Sequence, residues 1–271
     1  MEALVLFADI LGFKNIVKNT DLQVLLDRMA KWEALLKTKC EELHLDKIKL
    51  LSDSLVVSCS PKKDEFESLI QFSKILLESS VKLFLPVRGG ISYGEYDFQM
   101  LSLGKAFVEA YEVQSDQQWI GISCDESLPV ELMTDCWDLN HLVCYPPPFK
   151  KKKVTVLPVV LWDIPGYEIL IGSLTQGGQL KKWEEIGWDL LYKLNNTLEF
   201  KQYVNFLKHF NESPEFWHSR FPAQIIDAYF NDLIVAVKHK DFCPLFQSDI
   251  QGRLKGKFEV AAQHDHDMTF D

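Results

Sequence analysis

The apolar pattern of this 271-residue chain predicts an α+β sandwich of ferredoxin-like type. Three observations lead there. An apolar run at residues 4–8 opens the chain on a strand, and two short apolar runs between residues 48 and 59 flank a polar break. Long stretches at helical spacing alternate with these runs in the order β-α-β-β-α-β, followed by a further helix and strand. With 47% hydrophobic and 12% aromatic residues, the chain can fill a substantial core, which excludes wholesale disorder.

Each element has its own justification. Residues 4–8 suit a buried strand, Asp9 stands at its exit, and Gly12 permits a tight turn that aims backbone amides at an anion. From residue 19 to 44, Leu22, Leu25, Leu26, Met29, Trp32, Leu35 and Leu36 recur at helical spacing and predict one long amphipathic helix. Residues 48–51 and 55–59 form a hairpin around Ser52, Asp53 and Ser54, with a carboxylate at its tip. Residues 65–83 return to helical spacing. Residues 85–96 make a glycine-punctuated strand, and such glycines mark close approach of a ligand or another backbone. A helix opens at Gly104, and residues 119–127 hold another short strand. The pattern weakens from 127 to 148. Residues 154–165 read as a strand pair or an edge strand, because Pro158 cannot donate to a ladder. The expected organisation is a sheet domain over 1–170, a helical region over 171–240 anchored by Trp183, Trp188, Phe206, Trp217 and Phe230, and a tail over 241–271.

Composition narrows the function. A net charge of −10 argues against non-specific binding to nucleic acid or anionic membrane, which is held mainly by Lys and Arg. The six cysteines form no CxxC pair and no metal-ligand spacing, and read as reduced thiols of a cytosolic protein. Asp9 interrupts the opening apolar run, and no window approaches the roughly 18 apolar residues of a membrane span, so a cytoplasmic protein without membrane contact is expected. There is no P-loop and no GxSxG elbow, and the His/Asp tract at 264–267 falls in the tail. Asp9 and Asp53 stand out because each sits where an apolar strand breaks, on strands that are commonly neighbours in such a sandwich. Paired carboxylates there suit two Mg2+ or Mn2+ ions, hard cations that take oxygen ligands and leave room for substrate phosphates.

The segments FADILGFK (7–14), KIKLLSDSLVVS (47–58), VRGGISYGE (87–95) and LGKAFVEAYEVQ (103–114), in this order and spacing, resemble the class III nucleotidyl cyclases. The resemblance covers about residues 1–175, and within the class it is greatest to the compact bacterial pyrimidine cyclases of Pycsar antiphage systems. It implies that Asp9 and Asp53 are the metal-binding aspartates, with the Ile10 carbonyl as a backbone ligand. It implies that the turn of Leu11, Gly12 and Phe13 holds the terminal phosphates, that Arg88 reaches the triphosphate, and that Lys49 reads the base. Two departures alter the pocket. The aspartate that partners the base-reading lysine of adenylyl cyclases is Leu101 here, and the transition-state asparagine and arginine of the animal enzymes fall on Val108 and Glu112. Arg88, Lys105 and the lysines at 150–153 are then the candidates for the transition-state cation, and Lys14 stands where the class often has Ser or Thr.

The resemblance further implies a homodimer with two equivalent sites, conversion of UTP or CTP to the 3′,5′-cyclic monophosphate and pyrophosphate, and a separate effector that reads the product in antiphage defence. Two other readings stand beside it: a purine cyclase, and a catalytically silent nucleotide-binding module.

Overall fold

A computed structural model describes residues 2–45, 47–98, 103–133, 141–150 and 157–162, together with 193, 196, 197, 199–201 and 204. The chain divides into two compact units, Met1–Lys153 with Leu157–Glu199, and Val154–Val156 with Phe200–Asp271. All the strands and helices named below belong to the first. Of the expected helical region only the few residues between 193 and 204 are described, and these are helical. The rest of that region and the tail lie outside the described residues.

The elements run β1 (Glu2–Ile10), α1 (Phe13–Asn19), α2 (Leu22–Glu42), β2 (Lys47–Leu51), β3 (Ser54–Cys59), α3 (Lys63–Lys82), β4 (Val87–Glu95), α4 (Lys105–Asp116), β5 (Gly121–Cys124), α5 (Val130–Met133), β6 (Leu142–Tyr145) and β7 (Leu157–Val160). The fold class is α+β. One seven-stranded sheet has the order β2-β3-β1-β4-β5-β7-β6. Its first four strands are antiparallel neighbours, with β1 between β3 and β4, as a β-α-β-β-α-β chain of ferredoxin-like type requires. The helix α4 then carries the chain across to β5, which runs parallel to β4.

Strand β1 reads as a nearly continuous apolar run because both of its faces are covered. Leu4, Leu6, Ala8 and Ile10 are buried on one face. Ala3, Val5 and Phe7 are buried on the other, in a cluster with Val56, Tyr96, Ala106 and Ala110, so α4 lies on that face. Two edge-on aromatic contacts pin the helix there: the Phe7 ring meets Phe107 and Tyr111, each at a centroid separation of 5.4 Å. Gly90 makes this approach possible. A Cβ placed on it would come 2.3 Å from the Ala110 carbonyl oxygen and 2.9 Å from Val113 Cβ. Of the two uses of a strand glycine foreseen from the sequence, close approach of another backbone is the one realised at this position.

Three features differ from the sequence expectation. A short helix not expected from the sequence, α1, stands between the opening turn and the expected long helix over 19–44, which is α2; the two are parted at Thr20 and Asp21, and the Asp21 side chain caps α2 by accepting from the amides of Gln23 at 2.9 Å and Val24 at 3.2 Å. The weakly patterned stretch holds α5 and β6, each four residues and too short to leave a periodic signature. Pro158 does not mark an edge. It lies on β7, between β5 and β6, and β6 is the edge strand. The proline is tolerated because β7 registers with β5 only at Ser123 and Val159, so little ladder is lost on that side.

Replacing Gly90 by Ala is expected to lower the unfolding free energy by about 1–3 kcal/mol through overpacking against α4, read as a lower midpoint in urea denaturation. An unchanged midpoint would contradict the close seating of α4 on β4.

Candidate active site

Asp9 occupies the last outward position of β1, and strand pairing determines its neighbours. It stands opposite Ser54 on β3 and opposite Arg88 on β4, and Ser54 in turn pairs with Leu51 on β2. The β2–β3 connection is a two-residue turn of Ser52 and Asp53. Ser52 has φ 59°, the positive value that the primed turns of tight hairpins need at their first corner. The Ile10 amide donates to the Asp53 carbonyl oxygen at 2.9 Å, tying the hairpin tip to the end of β1. The two carboxylates are thereby brought into each other's field. Burial raises the Asp9 carboxyl above the ordinary range, and the charge of Asp53 raises it further. A hydrogen bond from Ser54 and the charge of Arg88 oppose the rise.

Both oxygens of Asp9 have protein donors. Ser54 Oγ donates to Oδ1 at 3.1 Å, and Gln114 Nε2, from α4, donates to Oδ2 at 3.4 Å. Sequence reading missed Gln114, which closes the fourth motif without any signal of its own. Only the packing of α4 on the sheet brings it to Asp9.

The turn after β1 is divided in use. The Leu11 amide donates to the Pro86 carbonyl at 2.7 Å and is committed to holding the loop. Gly12 adopts φ 71°, and it and Phe13 open α1, where the first amides have no acceptor within the helix. Lys14 is exposed.

The basic candidates are not all gathered at the aspartates. Arg88 is beside Asp9 in register, but its Nη1 donates to the Gln117 carbonyl at 2.7 Å and the Ser115 carbonyl at 3.3 Å, at the negative C-terminal end of α4. Burial lowers its pKa, while Asp9, Tyr111 and Asp116 push it back up. Lys150 Nζ donates to the same Ser115 carbonyl. Lys105 is exposed and pairs with Glu109 at 3.5 Å. It lies nine residues before Gln114, about 13 Å along the helix, and so at the far end of α4 from Asp9. Lys49 stands opposite Val56, which stands opposite Phe7, so it shares the sheet face of Asp9; its Nζ sits 4.5 Å from the centre of the Phe98 ring. Val108 and Glu112 are exposed on α4. Leu101 and the lysines at 151–153 lie outside the described residues.

Among the described residues no three His, Cys, Asp or Glu side chains group as a ready-made metal cage. The donors present, two carboxylates and the Ile10 carbonyl, are all oxygen. Such a set fits a hard divalent cation that completes its shell with water and substrate phosphates, as Mg2+ commonly does. The mutual repulsion of Asp9 and Asp53 is what a cation would relieve. Among the described residues, no helix is long and apolar enough to cross a membrane.

No protein-family model matches the chain, and no curated protein matches it. Among solved structures, it is similar to the adenylyl cyclase CyaB from P. aeruginosa, at 15% identity over 59% of this chain and 94% of that one, with a TM-score of 0.47. It is similar to the guanylyl cyclase domain of the RhoGC fusion protein from the aquatic fungus Blastocladiella emersonii, at 15% identity over 59% and 94%, with a TM-score of 0.47. A third similar structure is the guanylate cyclase domain of RhGC from Catenaria anguillulae in complex with GTP, at 14% identity over 59% and 96%, with a TM-score of 0.45.

Because burial and the charge of Asp53 both disfavour the Asp9 carboxylate, Asp9→Asn is expected to raise the thermal midpoint of the metal-free protein by about 2–4 °C. Addition of Mn2+ is expected to raise the midpoint of the wild-type chain and to leave that of the variant unchanged. A midpoint that falls in the absence of metal would show that the two carboxylates do not oppose each other.

Proposed function

We propose that the protein is a metal-dependent pyrimidine nucleotide cyclase that converts UTP or CTP to the 3′,5′-cyclic monophosphate and pyrophosphate. The observation that carries this reading is the meeting of Asp9 and Asp53 at the end of β1, beside a turn that leaves the Gly12 and Phe13 amides without intrahelical acceptors. Asp9, Asp53 and the Ile10 carbonyl would hold two Mg2+ or Mn2+ ions, which when bound lower the pKa of the ribose 3′-hydroxyl and offset charge on the triphosphate. The Gly12 and Phe13 amides bind the terminal phosphates and orient the α-phosphorus for in-line attack by the 3′-oxygen, with pyrophosphate leaving opposite. No covalent enzyme intermediate is required. Arg88 lends positive charge beside Asp9 and, through Ser115 and Gln117, holds the end of α4 in place. Lys105, at the other end of α4, is assigned to phosphate contacts of a substrate shared between two copies of the chain.

Lys49 is the base-reading residue in this proposal. Its ammonium only donates, so it can satisfy O4 of uracil, N3 of cytosine or N1 of adenine. The preference for a pyrimidine, with UTP ahead of CTP, rests on the overall resemblance of the motifs and on Leu101, which removes the acidic partner that an adenine-reading lysine would have. The working protein is a homodimer with isologous sites, supported by exposed apolar side chains on α4, Val108 at 51% and the flank of Tyr111 at 49%. Its product serves as a cytoplasmic second messenger in antiphage defence, read by a separate cyclic-nucleotide-binding effector.

A silent nucleotide-binding module is the second reading. It is favoured by one observation: two of the candidate cations, Arg88, which stands opposite Asp9, and Lys150, both bond to carbonyls at the end of α4. Calorimetry would support it if nucleoside triphosphate binds without release of pyrophosphate.

Incubation of the pure protein with each of the four nucleoside triphosphates and Mn2+ is expected to yield a cyclic product from UTP or CTP, and Asp53→Ala should reduce the rate roughly a hundred-fold or more. Turnover of ATP or GTP alone would make it a purine cyclase, and no turnover of any would sink the enzymatic reading. In sedimentation, Val108→Asp is expected to shift the protein to a monomer and to abolish turnover with it.

A further inference from the structure

We infer that Gln114 is a positioning residue that holds the Asp9 carboxylate ready for metal. The inference rests on the reading of Asp9 as a metal ligand and adds a residue to which neither the sequence motifs nor that reading gives a role. The sheet-facing side of α4 is built from Ala106, Ala110 and Val113, small apolar side chains that let the helix lie close, and Gln114 is the polar exception among them. It is only 2% exposed. A buried amide is costly unless it is hydrogen-bonded, and Nε2 of this one meets Asp9 Oδ2 at 3.4 Å.

The geometry explains why the position is polar. A carboxylate has about four acceptor directions, two on each oxygen. Ser54, from β3, takes one on Oδ1, and Gln114, from α4, takes one on Oδ2. One direction on each oxygen remains, which is what a carboxylate shared by two cations needs. The two donors come from different elements on different sides of β1, so together they fix the plane of the carboxylate, as outer donors orient metal ligands generally. Gln114 also makes the placement of α4 part of the site, since a shift of the helix would withdraw the donor.

Calorimetric titration of the full chain with Mn2+ alone tests this without reference to turnover. Gln114→Met keeps length and apolar bulk and removes the donor, and it is expected to weaken Mn2+ binding about ten-fold or more. Val113→Ala loosens the same helix face without touching Asp9 and should bind Mn2+ as the wild type does. Equal binding by wild type and Gln114→Met, or equal losses in Gln114→Met and Val113→Ala, would overturn the inference while leaving Asp9 as a metal ligand. Failure of the wild-type chain to bind Mn2+ would overturn the metal reading itself, and Gln114 with it. Should Gln114→Met not fold, Gln114→Glu tests the same juxtaposition. It sets a third carboxylate against Asp9, so the metal-free thermal midpoint should fall and Mn2+ should restore it. A midpoint and a Mn2+ response like those of the wild type would count against the contact.

Discussion

The hydrogen bond from the Ile10 amide to the Asp53 carbonyl is short-range, but it closes the register between β1 and the β2–β3 hairpin at the point where both strands end. Side chains alternate faces along a strand, so a slip of one residue in β1 would turn Asp9 toward the face that holds Leu4, Leu6 and Ala8 and bring Ala8 to the site. Both faces of β1 are apolar from Ala3 to Ala8, and they leave one register in which Asp9 is not driven into the core. The adjacency of Asp9, Asp53, Ser54 and Arg88 follows from that single alignment.

Around this alignment the protein tolerates groups that oppose folding. Asp9 is raised by burial and by a like charge, and Arg88 is lowered by burial, with Nε left among the buried atoms that have no partner within the described residues. Serine, glutamine and helix-end carbonyls reduce these costs without removing them. Local departures from good packing are expected where a site is built, and here they lie together at one end of β1 and α4. The rest of the sheet is conventional by comparison. Gln117, wholly buried at the end of α4, donates to Gly89 and Val113 carbonyls and accepts from Trp119 and Ser123, so its polar atoms are satisfied.

Much of this was legible in the residue pattern, for reasons that can be stated one element at a time. The hairpin with Asp53 at its tip could be read because apolar runs of strand length flank a polar break, and that pattern is local. The glycine start of α4 could be read because a glycine just before a periodic run marks a helix boundary, and Gly104 is its N-cap. The long helix α2 could be read from its apolar spacing, whereas α1 before it, seven residues with only Ile16 buried, is too short to show a period. β6 and α5 are too short for any period to emerge. Pro158 misled because the edge rule assumes that an inner strand is bonded along its whole length on both sides, and β7 is not.

What the sequence by itself determined is the longer strands and helices and the two acids at strand ends, because hydrophobic period and turn chemistry act between residues close in the chain. Only the tertiary structure decided which side chains surround those acids. Gln114 lies 105 positions from Asp9 in the chain, and Arg88 reaches Ser115 and Gln117 across 27 and 29 positions. Contacts of that kind depend on where α4 comes to rest on β1 and β4. That resting place is fixed by the bare backbone of Gly90 and the rings of Phe7, Phe107 and Tyr111, which pack by shape and leave no period in the sequence to read.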